Sequence, residues 1–237
     1  MKHKPFVHLH THSHYSLLDG AIKIPDLIKK ANELQFPAIA LTDHGNMFGA
    51  IEFYQTAMKN GIKPIIGIEF YVAPDSRLKK EKKAEGKESP YHLVLLAKDI
   101  EGYRNLIKLS SIGYIEGFYY VPRIDKEVLK QHSKGLVALS SCVQGEIPRN
   151  IIEDNEINAR RVAYEMKEIF GEDFYLELQY HHLPEEEKAL KGLLKISKDL
   201  SIPVVATNDI HYLTPDDYEA HDILLCIQTQ KTVNDKD

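Results

Sequence analysis

The chain has 237 residues, enough to bury a full core as one large domain, and its apolar content and mixed charge are those of a folded globular protein. It shows no signal peptide and no apolar run long enough to span a bilayer, and its two cysteines, Cys142 and Cys226, suggest no disulfide framework, so a reducing cytoplasm is expected. A formal net charge of −5 argues against a domain that grips duplex DNA through a generally basic surface; nucleic acid, if a partner, must be attracted locally or by other parts of a larger protein.

Pro5-Phe6-Val7 reads as a first short strand that runs into His8-Leu9-His10-Thr11-His12-Ser13-His14. Alternate residues of a strand share a face, so these histidines point one way if the strand extends that far. Imidazoles at i and i+2 can hold one metal ion through neutral nitrogens. Histidines left by an affinity tag run contiguously, whereas these alternate. Asp19, in Ser16-Leu17-Leu18-Asp19-Gly20, offers a hard oxygen donor from a loop.

Helical spacing follows at Ile24, Leu27, Ile28, Ala31 and Leu34. Pro37 to Leu41 reads as a second strand and leads straight into Thr42-Asp43-His44-Gly45. A helix is predicted from Ala50 to Asn60, stopped by Gly61. Pro64 to Val72 is a third strand carrying Glu69, and Tyr91 to Ala97 a fourth with His92 near its start. Between them, Lys79 to Glu88 is charged and lacks apolar periodicity, which predicts a solvated loop. A helix over Glu101 to Ile112, a strand over Leu136 to Ser140 ending at Ser141-Cys142, and a helix over Asn158 to Phe170 come next. Phe174 to Gln179 is a sixth strand, Glu185 to Leu200 an amphipathic helix, and Pro203 to Thr207 a seventh strand ending at Asn208-Asp209-Ile210-His211-Tyr212.

Apolar strands separated by helices imply a parallel sheet covered by helices. About seven such units suggest an α/β fold related to the (βα) barrels, in which chemistry collects at the C-terminal ends of the strands. His10, His12, His44, Cys142, Asp209 and His211 fall there; Glu69 and His92 sit within strands, where a barrel interior can still bring them to the same mouth. An open doubly wound sheet is the second choice, but no glycine-rich phosphate loop supports it.

Taken singly, most of these residues have ordinary explanations. A lone histidine on an apolar strand is more often packed or on the surface, and His3, His132 and His221 are read that way. His181 and His182, which follow the sixth strand, can be read either way. Cys142 alone would be a small buried residue, and Asp209 alone a turn residue. Together they form a pattern: histidines and carboxylates end strand after strand, and Asp-x-His on the last strand repeats the geometry of His-x-His on the first. Metal ligation accounts for that pattern better than coincidence.

His8 to Ser13 with Ser16 to Gly20, followed by Thr42-Asp43-His44-Gly45-Asn46, resembles the polymerase and histidinol phosphatase (PHP) domain family. Within that family it is most similar to the amino-terminal PHP domains of bacterial DNA polymerase III alpha subunits. Gly67-Ile68-Glu69-Phe70-Tyr71, His92 to Ala97, Gly117-Phe118-Tyr119-Tyr120 with Pro122-Arg123, Leu139-Ser140-Ser141-Cys142 and Thr207 to Tyr212 continue the likeness along essentially the whole chain.

The resemblance implies a distorted seven-stranded βα barrel and a three-metal site with His10, His12, Asp19, His44, Glu69, His92, Cys142, Asp209 and His211 as ligands. Glu69 would be the bridging carboxylate, and Glu69, Asp209 and His211 the catalytic residues. His8 and His14 are not carried over as ligands; His8 would support the ligands from behind. Asp43 is expected to orient its neighbours. Arg123 is a candidate phosphate contact, with a structural role as the alternative. Zinc, manganese or iron would suit the mixed donors. Asp19, Glu69, Asp209 and an ionised Cys142 supply four negative charges against about six from three divalent ions, so an acidic domain can hold a locally positive pocket for phosphate.

The implied reaction is metal-assisted phosphoester hydrolysis, as a 3′–5′ exonuclease acting in DNA replication. The partners would be the 3′ end of DNA, other polymerase III domains and holoenzyme subunits, with no membrane. The chain would be a single PHP domain over 1–237, an N-terminal part of a larger polymerase with the connection to the next domain starting at 216–237, and nucleotidyl transfer would reside beyond it. Two alternatives stand: a free-standing phosphatase of small monoesters such as histidinol phosphate, and a metal-stabilised structural module without activity.

Overall fold

The computed structural model describes residues 6–80 and 89–235. His3 and all of the charged Lys79–Glu88 stretch except Lys79 and Lys80 lie outside the described residues. Seven strands form one curled sheet flanked by helices: β1 (Ala38–Leu41), β2 (Lys63–Val72), β3 (Tyr91–Ala97), β4 (Arg123–Ile124), β5 (Leu136–Leu139), β6 (Phe174–Leu178) and β7 (Val204–Ala206). The order is β1-β2-β3-β5-β6-β7, with the two-residue β4 beside the end of β2.

The expected parallel sheet needs one correction: β3 runs antiparallel to both β2 and β5. Returning parallel requires a crossover, usually a helix, and no helix is found between β2 and β3 among the described residues. All other pairings are parallel. The starting end of β3 therefore lies with the finishing ends of its neighbours, and this brings His92 to the mouth.

The expected first strand is reduced to bridges. His8 pairs with Ile39 and Thr11 with Ile210. Backbone bonds from Ala40 N–H to the His8 carbonyl, Thr42 N–H to the Thr11 carbonyl and His12 N–H to the Ile210 carbonyl tie the 8–12 segment to both edges of the curled sheet. His10 and His12 are thus fixed by two neighbours without a long ladder of their own.

Strand alternation decides which residues face inward. Leu93 and Leu95 of β3, Ile68, Phe70 and Val72 of β2, and Phe174 and Leu176 of β6 join the core beneath the helices. Val94 and Leu96 point the other way and pack inside the barrel with Ala40 and Leu139. His92, Glu69 and Glu177 have the parity of that inner face. They stand above this apolar floor.

The helices form where apolar spacing meets good ends: α1 (Ile24–Glu33), α2 (Ala50–Lys59), α3 (Ile100–Ile115), α4 (Lys126–Gln131), α5 (Glu146–Ile152), α6 (Glu156–Phe170), α7 (Pro184–Leu200) and α8 (Tyr218–Thr229). Asp99, Asp125 and Asn155 cap α3, α4 and α6 by accepting from Gly102, Val128 and Asn158 N–H groups. The short α4 and α5, two turns or fewer, carry too little periodicity to stand out in the sequence. Helices α1 and α2 cover β1 through Ile24, Leu27, Ile28 and Phe53, and α5 to α7 cover β5 and β6 through Ile147, Val162, Met166, Leu193 and Ile196.

Phe174 is fully buried in the larger core, so Phe174→Ala is expected to lower the unfolding free energy by about 3–5 kcal/mol. Ile157, 86% exposed, is the internal control, and Ile157→Ala should stay within about 0.5 kcal/mol. Urea unfolding of both variants checks the layering; equal losses would contradict it.

Candidate metal centre

At the mouth the structure holds a cavity of about 320 Å³ lined by Asp19, His44, Glu69, Tyr71, His92, Cys142, Asp209, His211 and His221. His10 and His12, both fully buried, stand behind it, each with Nε2 3.2 Å from Asp209 Oδ1. All nine expected ligands are therefore gathered in one place from the amino-terminal segment, the loops after β1, β5 and β7, and the inner face of β2 and β3.

Glu69 is the hub. Its carboxylate lies 3.3 Å from His10 Nε2, 3.6 Å from His12 Nε2, 2.7 Å from His44 Nδ1 and 3.1 Å from His92 Nδ1. Ser141 Oγ donates to it at 2.5 Å. Burial alone would raise the Glu69 pKa, but the imidazoles of His92 and His10 hold it well below the ordinary range. Asp209 Oδ1 is 3.2 Å from both His10 Nε2 and His12 Nε2; burial again opposes its charge, and those two imidazoles keep its pKa low. On the opposite side Asp19 meets His44 Nε2 at 3.0 Å and His211 Nε2 at 3.7 Å.

The rings of His12 and His211 are held with a bare nitrogen toward the centre, and the His10 ring is fixed through Nδ1; burial opposes its charge, but Asp209, Glu177 and Glu69 raise its pKa well above the ordinary value. His10 Nδ1 is 2.8 Å from Glu177, which can only accept, so Nδ1 carries the proton. The Ser16 hydroxyl gives its one proton to Asp43 at 2.8 Å, so it accepts from His12 Nδ1 at 3.0 Å and leaves His12 Nε2 bare. Burial, with His44 and His211 nearby, pulls the His12 pKa down to about 3, so the ring stays neutral. His211 Nδ1 donates to the Asp209 carbonyl at 3.0 Å. Asp43 also accepts from the Ser13 backbone and hydroxyl, and so holds the whole 12–16 turn, as its expected orienting role requires. Asp209 and Ser141 reach their places through left-handed backbone, φ +48° and +64°. That conformation is costly for residues with a Cβ and least so for Asp and Asn.

Buried His10 Nε2, His12 Nε2, His44 Nδ1, His92 Nδ1 and Asp209 Oδ1 make no well-aligned hydrogen bond among the described residues, only the crowded imidazole–carboxylate contacts given above. Leaving so many buried polar atoms so poorly paired is expensive, and a cation between them satisfies them at once. The triplets His10–His12–Glu69, His44–Glu69–His92 and His12–His44–His211 each bring three donor atoms within 4.8 Å of one another. Their imidazole and carboxylate chemistry suits divalent metal ions. Cys142 lines the cavity outside these triplets; burial raises its thiol pKa, and the charges of Glu69 and Asp209 raise it further.

Several expectations change. Arg123 is not at the mouth: it is buried, donates to the carbonyls of Gly117, Arg77 and Lys79, and lies over the Tyr119 ring. That guanidinium is committed to holding loops, which is the structural alternative and not a phosphate contact. His8 packs edge-on against Phe6 and Phe36, and His14 is exposed. His181 pairs with Glu186 outside the centre, and His182 is exposed. Sequence reasoning overlooked Glu177, whose signal was a lone charge inside an apolar strand. It also dismissed His221, which lines the cavity from α8, where no strand end marked it.

The chain is 51% identical over 98% of its length to DNA polymerase III subunit alpha of Borreliella burgdorferi, and 48% identical over 97% to that of Thermus aquaticus. It spans about a fifth of each, 20% and 19%. In fold it is similar to a Bacteroides vulgatus two-domain protein containing a predicted PHP-like metal-dependent phosphoesterase (TM-score 0.55, 16% identity, 91% of this chain and 55% of that one). It is also similar to an amidohydrolase from Chromobacterium violaceum with bound sulfate and no metal (TM-score 0.53, 15% identity, 92% and 96%). The PHP domain model matches residues 8–181, which take in every strand from β1 to β6, and the chain belongs to the PHP domain family.

Proposed function

We propose that this chain is the PHP domain of a bacterial DNA polymerase III alpha subunit and that its cavity hydrolyses phosphodiester bonds from the 3′ end of DNA. The observation that carries the reading is the ring of buried imidazole nitrogens, those of His10, His12, His44 and His92, converging on Glu69. The triplets His10–His12–Glu69, His44–Glu69–His92 and His12–His44–His211 would hold the ions, with Asp19, Cys142 and Asp209 as further donors around the same cavity. Zinc, manganese and iron all suit these donors. Divalent ions bound there would lower the pKa of water and neutralise charge on phosphoryl oxygens.

The chain's own residues do the rest. Glu69, almost fully buried, joins the donor groups and fixes their spacing. Asp209 and His211 keep 16% and 18% of their side chains exposed, where they can meet substrate. Tyr71 keeps its hydroxyl proton, since burial and the charges of Glu69 and Asp19 raise its pKa, and it offers a neutral wall. Sequence tolerance is expected, because an exonuclease positions backbone phosphate and need not read bases. The polymerase context, DNA and further subunits would supply the grip that an acidic domain lacks. A cytoplasmic location agrees with this; among the described residues no helix is long and apolar enough to cross a membrane.

Without a cation, burial disfavours a charged His44, but Asp19 and Glu69 raise its pKa to about 10. Ion binding must therefore expel protons at neutral pH, and affinity should rise with pH as His44 gives up its proton more readily. Calorimetric titration of manganese in buffers of different ionisation enthalpy reads the proton count. Chelation should lower the melting temperature, and no proton release together with no thermal shift would count against the metal reading.

Ser16→Ala removes the acceptor that holds His12 in register and is expected to weaken manganese binding about 10–100-fold while the fold survives. Unchanged affinity would show that His12 needs no such support.

The substrate test runs a 3′-labelled against a 5′-labelled oligonucleotide beside histidinol phosphate and an aryl phosphate. Stepwise manganese-stimulated shortening from the 3′ end is expected, slower as salt rises. It should be abolished in His12→Ala and Asp209→Ala and kept in His132→Ala, which alters the end of α4 away from the cavity. Turnover of the monoesters with intact DNA would support a stand-alone phosphatase. Inertness of the metal-loaded protein toward every substrate would support a structural module.

A further inference from the structure

His221 is carried by α8, beyond the 8–181 stretch that matches the PHP family, yet its ring lines the same cavity. Its side chain is only 15% exposed, and Nε2 is buried without a hydrogen-bond partner among the described residues. Nε2 lies 3.8 Å from Asp19 Oδ1, and His211 Nε2 lies 3.7 Å from the same oxygen. Both separations exceed hydrogen-bond reach. They come near the roughly 3.4 Å that separates two donors on one tetrahedral ion with bonds of about 2.1 Å. The His211 and His221 rings are 5.9 Å apart, and Tyr212 packs beside His221 at 5.2 Å.

No residue of α8 is buried, so the helix has no core of its own to hold it in place. What it presents to the centre is one imidazole. We infer that His221 is a further ligand, closing the Asp19–His44–His211 side of the metal centre, and that a filled centre pins α8 through it. This rests on the metal-dependent reading above. It gives that side of the centre a fourth protein donor, and it makes α8 the element that registers metal occupancy.

The test strips the protein of metal, adds zinc back, and reads three signals: the bound-ion count, hydrogen exchange across Tyr218–Thr229, and the imidazole ¹⁵N shifts of His221. In the wild-type protein zinc should move the His221 Nε2 resonance and slow exchange in α8. His221→Ala should fold normally, since it removes nothing from a core. It should bind one ion at least about tenfold more weakly and lose the zinc-dependent protection of α8. Glu219→Ala, on the same helix and exposed, controls for helix propensity and should behave as wild type. An unmoved His221 resonance, with His221→Ala matching wild type in ion count and protection, would overturn the inference while leaving the metal reading intact. Zinc binding to none of the proteins would overturn both.

Discussion

A carboxylate buried among imidazoles is the constraint on which the rest of this molecule depends. Glu69 is 1% exposed and faces the nitrogens of His10, His12, His44 and His92. An isolated charge in such a place would cost many kcal/mol and would neutralise instead. Here the surrounding rings keep it ionised, and a cation shared among the same atoms would satisfy them all. The centre and the upper barrel therefore stand or fall together: loosening any imidazole leaves a buried charge without its partner.

The fold meets that constraint by topology. Because β3 is reversed, its first turn of residues reaches the same mouth as the last residues of β2, β5 and β7. Strand parity then selects Glu69 and His92 for the interior, above a dry floor of Ala40, Val94, Leu96 and Leu139. The 8–12 segment, pinned between β1 and the stretch after β7, adds two histidines with almost no freedom. The geometry of this centre thus comes from backbone hydrogen bonding as much as from side-chain choice.

A layer behind the donors does quieter work. Glu177, Ser16 and the Asp209 carbonyl each take an Nδ1 proton, so that Nε2 is the nitrogen that His10, His12 and His211 turn toward the centre. Asp43 holds Ser16 and Ser13 in turn. Such outer partners set the tautomer and the aim of a ligand, and metal affinity is sensitive to them. The net charge of the chain says little about the mouth, because a few acidic donors there can be outweighed by the ions they gather.

The sequence by itself determined the kind of chemistry and most of the elements. Alternating His10 and His12, His44 after an apolar strand, and Asp209 with His211 after another were legible because strand-end loops carry function and apolar periodicity marks the strands. Local patterns could not determine direction, parity or distant partners. The reversal of β3 depended on what lies between two strands, and the fate of Arg123 on carbonyls 44 to 46 residues away that accept its protons. Glu177 and His221 acquired their places only when β6 and α8 were set beside residues 167 and 202 positions distant, His10 and Asp19. Spacing along a chain encodes one strand or one helix face; the meeting of several at one mouth is decided by the packing of the whole barrel, which no short window of sequence contains.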